Sequence, residues 1–312
     1  MKVVSAITAC NRSALLERNI RSQVGATEIT IFDDSSDGRM RFVAESLTTL
    51  SVPIRYVGTR ERAIFASQFH SSLRGPLLWG LSNRGYSLGA NRNAVLLDTL
   101  GSKVFLSDDD IVCRVGKSKL AGRVVFKTRQ EALDAVEFTD KCPLDICLEA
   151  LVDYRVAMFG HVGDSGARSP QKLPDGTFSR EIVHTGPSVL TDGGFLMLGA
   201  AAIDNAGLPP FYPHGRNSDG LWGIMLKDLG VPVTMLPWAL EHDPKEVRPL
   251  TTRRGSPCDE IAVIVRQGGA WQNAVNEAGH CEYTRLVENW DRILEETKSL
   301  QSKGERLSIA IN

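Results

Sequence analysis

The chain has 312 residues, 42% of them apolar and 23% charged, with a formal net charge of -1. That is length enough for one large α/β domain, or a core domain with an appended piece, around a real buried core. The balanced charge gives no reason to expect nucleic acid or an anionic membrane as partner, no run reaches the ~18 apolar residues of a membrane span, and the six cysteines are scattered with no Cys-x-x-Cys pair for zinc.

In chain order, residues 2–8 form a short β-branched run. It is too short for a signal sequence and no small-residue cleavage site follows, so it reads as a first buried strand. A polar turn, Ala9-Cys10-Asn11-Arg12-Ser13, comes next. From 14 to 23 the spacing is helical, with Leu15, Leu16 and Ile20 on one face. Residues 28–32 make a second strand that stops at Asp33-Asp34-Ser35-Ser36-Asp37-Gly38, a turn-forming cluster. Residues 40–50 read as a helix and 54–57 as a third strand. This βαβαβ alternation predicts a parallel sheet covered by helices on both faces.

After a less regular stretch, residues 91–100 form a helix ended by Gly101. Residues 104–106 form a buried strand that runs into Ser107-Asp108-Asp109-Asp110. Both acidic clusters thus follow strands, and ligands of open parallel sheets bind beyond the carboxyl ends of the strands. Between 113 and 189 the pattern blurs: 130–136 reads as a helix, and 160–178, rich in Gly, Ser and Pro, as a loop or lid. Order returns at 193–202, small and apolar. Residues 218–229 form a helix closed by Gly230, and 231–236 a strand leading to Glu241-His242-Asp243-Pro244. Residues 287–303 form a charged amphipathic helix, packed on the core or on a partner. The expected organisation is a first half at 1–112, a second half with a lid-like insertion at 113–250, and a C-terminal helical extension at 251–312.

Three adjacent carboxylates at Asp108, Asp109 and Asp110 repel one another and call for a cation. Mg²⁺ or Mn²⁺, bound through one or two carboxylates and diphosphate oxygens, suits them; a solvated acidic loop or helix cap is the competing explanation. In extended chain Asp108 and Asp110 point the same way and Asp109 the other. Asp33-Asp34 is either a turn or, on a strand of the same sheet, an acceptor for a base or ribose. His242, in a polar loop, is either structural or a nitrogen ligand to a metal held mainly by carboxylates. Asp219 opens a helix, where a carboxylate complements the dipole or serves as general base. Arg92, at a helix start beside free backbone N–H groups, is either a surface arginine or a diphosphate contact.

The order of these motifs resembles the family-2-like group of GT-A fold glycosyltransferases. Val4-Ser5-Ala6-Ile7-Thr8 with Asn11-Arg12 is similar to the group's opening strand and turn. Ile31-Phe32-Asp33-Asp34-Ser35-Ser36 is similar to its nucleoside-cradling strand, and Gly89-Ala90-Asn91-Arg92-Asn93 to its Gly-x-x-Arg-Asn helix start. Phe105-Leu106-Ser107-Asp108-Asp109-Asp110 resembles the strand with the Asp-x-Asp metal motif. Gly193-Gly194-Phe195-Leu196-Met197 resembles the acceptor-side strand, and Asn217-Ser218-Asp219-Gly220 the Glu-Asp helix, with Ser218 where many members carry Glu. The likeness spans residues 3–245.

The resemblance implies a GT-A type, Rossmann-like, mostly parallel sheet with flanking helices. It implies a soluble metal-dependent transferase acting on a nucleotide-sugar donor, a UDP-sugar in preference to a GDP-sugar, with Mn²⁺ or Mg²⁺ and an unidentified acceptor. Thr8, Asn11, Asp33, Asp34, Arg92, Asp108 and Asp109 would bind the donor; Asp108, Asp110 and His242 the metal; Asp219 would be the base of an inverting reaction. Arg155, Arg168 and His184 are candidates for reaching the acceptor. The scattered thiols suit a reduced, cytoplasmic setting.

Overall fold

The computed structural model describes residues 3–35, 39–47, 51–82, 88–120, 123–164, 182–185, 196, 198–214, 218–244, 261, 273–275 and 280–311. The opening run is strand β1 (Val3–Ala9), buried at every position. Helix α1 (Ser13–Ser22) follows, then β2 (Ile29–Asp33), α2 (Arg39–Ser46) and β3 (Ile54–Val57). β1 pairs in parallel with β2, and β2 with β3. β4 (Lys103–Asp108) lies parallel on the other side of β1. The expected α/β sheet is therefore present, with its carboxyl ends at Ala9, Asp33, Val57 and Asp108.

Helices α3 (Thr59–Ser67) and α4 (Ser71–Leu81) fill the stretch that looked irregular, ahead of α5 (Leu88–Asp98). Gly75, Pro76 and Gly80 hid α4, since each lowers helix propensity. Gly80 has a packing reason: a Cβ there would lie 2.9 Å from Leu286 Cδ2. Gly101 has φ +80° and closes the turn after α5, donating its N–H to Asn205 O at 2.8 Å.

The blurred middle of the chain also has regular structure. It holds β5 (Ile111–Ser118), β6 (Arg123–Phe126), α6 (Arg129–Asp134), β7 (Val136–Phe138), α7 (Pro143–Ala150), β8 (Val156–Asp164) and β9 (Ile182–Thr185). Then come β10 (Ala200–Asp204), α8 (Ser218–Asp228) and β11 (Val233–His242). β10 inserts antiparallel between β4 and β8, and β11 runs parallel to β8 and antiparallel to β5. Because β10 is reversed, its amino end, rather than its carboxyl end, meets the end of β4.

Faces alternate along each central strand, as a pleat requires. Ala6, Phe32, Val104, Leu106, Met158, Ala201 and Ile203 join one core with residues of α3, α4, α5 and α8. Ile7, Ile31, Phe105, Ala157, Phe159 and Ala202 join a second core with residues of α1, α2 and α7. A central strand buried on both faces shows no apolar–polar alternation, which is why β8 was not legible.

The C-terminal helix, α9 (Cys281–Ser302), packs on the core. It buries Tyr283, Leu286, Trp290, Ile293 and Leu294, and Trp290 Nε1 donates to Leu208 O at 2.8 Å. Beyond it, β12 (Ile309–Ala310) adds an antiparallel edge to β3. No described helix is long and apolar enough to cross a membrane.

Candidate active site

The ends of β1, β2, β4 and β11 bring most of the expected residues into one polar network. Asp108 closes β4, and Thr8, its register partner on β1, donates Oγ1 to Asp108 Oδ1 at 2.5 Å. Asn19, buried on α1, donates to Asp108 O at 2.8 Å and so fixes the strand end. The chain turns at Asp109–Asp110 before β5. Asp109 accepts from Cys10 N at 3.2 Å and pairs with Arg12, which also pairs with Asp110. Asp110 Oδ2 lies 3.3 Å from His242 Nε2 at the end of β11.

Helix α5 supplies a second cation. Arg92, 1% exposed, pairs with Asp219 on α8 and lies 3.7 Å from Asp108 Oδ1. It is no surface arginine. Asn91 donates to Phe32 O at 2.7 Å and accepts from Arg62. Asn11, the one described non-glycine residue with positive φ (+56°), turns the chain after β1 and donates its N–H to Ser35 Oγ at 2.8 Å.

Asp33 and Asp34 are buried and internally paired. Asp33 accepts from Ser35 N at 2.7 Å and from Tyr56 OH at 2.6 Å. Asp34 takes Arg62 Nη1 at 2.7 Å. These bonds shape the β2 loop, which adjoins the aspartate cluster through Asp34 N donating to Ala9 O at 3.0 Å.

Burial and charge act against each other throughout. Burial pushes Asp109 up to about 8, against the pull of Arg12. Burial also raises Asp108 despite Arg92, and raises Asp33 despite its hydrogen bonds. For Asp110 burial is outweighed by His242 and Arg12, which hold the carboxyl well below the usual range. Arg12 is stabilised as a cation because Asp110 and Asp109 overcome its burial.

Four important residues were not singled out from the sequence. Arg12, in the quoted opening turn, offered a signal by following a buried strand. Arg62 and Tyr56 lie in helical and strand patterns without any local mark. His161, on β8, is buried, and its Nε2 has no hydrogen-bond partner. It stacks on His242, with ring centroids 5.6 Å apart and planes at 14°. Burial, then His242, push its pKa down to about 3.

Other expectations fall elsewhere. Arg155 bonds Asp204 O at the far end of the sheet from Asp108, so it cannot reach this site. Arg168, the side chain of His184, Gly193-Gly194-Phe195, Met197 and Asn217 lie outside the described residues.

Among the described residues no three acidic, histidine or cysteine side chains are closed into a coordination shell, and Arg12 is the positive charge between Asp109 and Asp110. The chemistry of the donor set still suits a divalent ion. Asp110 Oδ1 is buried without a hydrogen-bond partner, as is His161 Nε2. The backbone is close-packed nearby: a Cβ on Gly199 would lie 2.7 Å from His161 Cε1.

No protein-family model matches the chain, and no curated protein matches it. Among solved structures, similarity is found to 4-diphosphocytidyl-2C-methyl-D-erythritol synthase from Anaerococcus prevotii, at 10% identity over 86% of this chain and 97% of that one, with TM-score 0.37. HddC from Yersinia pseudotuberculosis aligns at 10% identity over 75% and 89%, with TM-score 0.37. UDP-glucose pyrophosphorylase from Acinetobacter baumanii aligns at 11% identity over 95% and 99%, with TM-score 0.36. Likenesses this distant carry no argument about chemistry, which rests on the site itself.

Proposed function

We propose that this chain is a metal-dependent glycosyltransferase that moves a sugar from a nucleoside-diphosphate donor to a hydroxyl acceptor with inversion. One observation carries the reading: at the carboxyl edge of the sheet Asp108 lies beside the Arg92–Asp219 pair, and Asp110 beside His242. Metal, leaving group and base would need that juxtaposition. The donor class follows the motif order, with a UDP-sugar preferred over a GDP-sugar.

In this reading the β2 loop, with Asp33, Asp34 and Asn11, holds the nucleoside. Asp108, Asp110 and His242 would hold Mn²⁺ or Mg²⁺, which supplies charge neutralisation for the departing diphosphate. Arg92 and Asp109 would contribute to binding the donor. Asp219 keeps 22% of its side chain exposed while Arg92 pins it. In this reading Asp219 accepts the acceptor hydroxyl proton. The freed oxygen attacks the anomeric carbon, a C–O bond forms, and the bond to the diphosphate oxygen breaks on the opposite face.

A second reading has one observation in its favour. Arg12 already neutralises Asp109 and Asp110, so the aspartates can persist in a noncatalytic module that binds a glycan or a partner protein.

Thermal-shift titration with UDP, GDP, CDP and dTDP, each with Mn²⁺ and with EDTA, separates the two. Stabilisation by one nucleotide only with metal, together with loss of sugar transfer in Asp110→Ala, is the expected result. No stabilisation by any nucleotide overturns the transferase reading and favours the binding module. Near-normal turnover in Asp219→Asn would remove the inverting base and leave retention of configuration.

A further inference from the structure

We propose that Arg62 is a positioning residue for the nucleotide: its buried guanidinium ties the loop after β2 to the first turn of α5, so that nucleoside and diphosphate are bound as one unit. This rests on the nucleotide-donor reading above and extends it to the residue that sets the spacing between its two halves.

Arg62 lies in the first turn of α3, shortly after β3. That turn is fixed at its start, where Gly58 N donates to Glu61 Oε2 at 2.9 Å and Arg62 N to Gly58 O at 3.1 Å. The Arg62 side chain is 2% exposed, and its two terminal nitrogens reach three segments far apart in the chain. Nη1 donates to Asp34 Oδ1 at 2.7 Å and to Leu81 O, at the end of α4, at 3.4 Å. Nη2 donates to Asp33 O at 3.2 Å and to Asn91 Oδ1. Asp34 and Asn91 are buried as well. A planar guanidinium holds such a set at fixed angles, which an ammonium cannot do.

Asn91 is where this link crosses to the other half of the site. Arg92 follows it in the same helical turn, pairs with Asp219 and lies 3.7 Å from Asp108 Oδ1. Asn91 Nδ2 also donates to Phe32 O at 2.7 Å, which holds α5 to the β2 strand. Arg62 carries that hold onward to Asp33 O and Asp34, in the loop assigned to the nucleoside. Asp34, Arg62, Asn91 and Arg92 thus form a contiguous path through one hydrogen-bond network and one helical turn, the kind of element that transmits a shift between neighbouring sites. A loop and a helix already held at the right separation lose less freedom when a ligand spans them, so the nucleotide binds more tightly.

The simpler role is neutralisation of Asp34 alone. Arg62→Lys separates the two, because lysine keeps the charge and loses the fork. Isothermal titration of the full chain with UDP, with uridine and inorganic pyrophosphate as competitors, is run well below the melting temperature of each variant. GDP and guanosine take their places if GDP is the nucleotide that stabilises the wild type. In Arg62→Lys the UDP affinity should fall by about tenfold, and those of uridine and pyrophosphate each by less than about threefold, since each half keeps its own contacts and only their spacing is lost. Wild-type UDP affinity in the folded variant, whatever its melting temperature, overturns the proposal. So does a loss for uridine or pyrophosphate as large as that for UDP. A wild type that binds no nucleoside diphosphate overturns the nucleotide-donor reading itself. Should Arg62→Lys not fold, Asn91→Ala replaces it: that variant keeps the Arg62–Asp34 pair, removes the crossing to α5, and is expected to show the same pattern.

Discussion

Arg12, the residue before helix α1, places one guanidinium between the carboxylates of Asp109 and Asp110. A single cation from the loop after β1 thereby compensates two of three adjacent acids at the end of β4. Burial already favours neutral Asp109, so the ion pair lost with Arg12 is chiefly that of buried Asp110, whose charge Arg12 and His242 hold in place. Arg12→Ala is expected to lower stability in EDTA by about 3 kcal/mol. Mn²⁺ should restore a larger share of stability in this variant than it adds to the wild type. Urea unfolding with and without the ion measures both; equal stability in EDTA would show that the Arg12 pairing adds nothing to the fold.

Arg62 performs the same service for the β2 loop. It is 2% exposed and reaches Asp34, the carbonyls of Asp33 and Leu81, and Asn91. Arg62→Met should cost about 3–5 kcal/mol, because Asp34 loses its charge partner inside the protein. Arg62→Lys should recover only part of that, since an ammonium cannot reproduce the planar fork. Chemical denaturation of the two variants tests the claim, and full rescue by lysine would refute it.

Gly199 should tolerate no side chain without consequence. Gly199→Ala places a Cβ 2.7 Å from His161 Cε1, and overpacking of this kind costs about 1–3 kcal/mol. An unchanged melting temperature would show that the His161 ring yields at no cost.

Thiol reactivity should follow burial. Burial pushes Cys113 up to about 12 and Cys147 well above its ordinary value. At pH 8 the thiolate fraction of Cys113 is then on the order of one in ten thousand. Among the described cysteines, a disulfide reagent followed by peptide mapping should label exposed Cys281 first, and the partly exposed Cys10 and Cys142 more slowly. Cys113 and Cys147 should react only on unfolding. Raising pH increases thiolate at every site, so the ranking, not the total, is the readout.

Much of the architecture was legible because strands and helices declare themselves in local periodicity. The runs that became β1, β2 and β4 were short, apolar and followed by acids, which placed Asp33, Asp34 and Asp108 to Asp110 at one edge. α4 was hidden by its own Gly75, Pro76 and Gly80. β8 was hidden because both of its faces are buried and no alternation survives.

The sequence alone determined that three neighbouring carboxylates follow a buried strand of a parallel sheet, and that a helix opens on Asp219. It could not determine what balances those charges, because Coulomb attraction acts through space and the partners are far apart along the chain. Arg12 and Asp110 are separated by 98 positions, and Arg92 and Asp219 by 127. Only the folded arrangement turned Arg92 from a surface residue into a buried partner of Asp219, and set His161 beside His242. Pairing of strands from distant segments, which no local pattern encodes, decided which side chains come together.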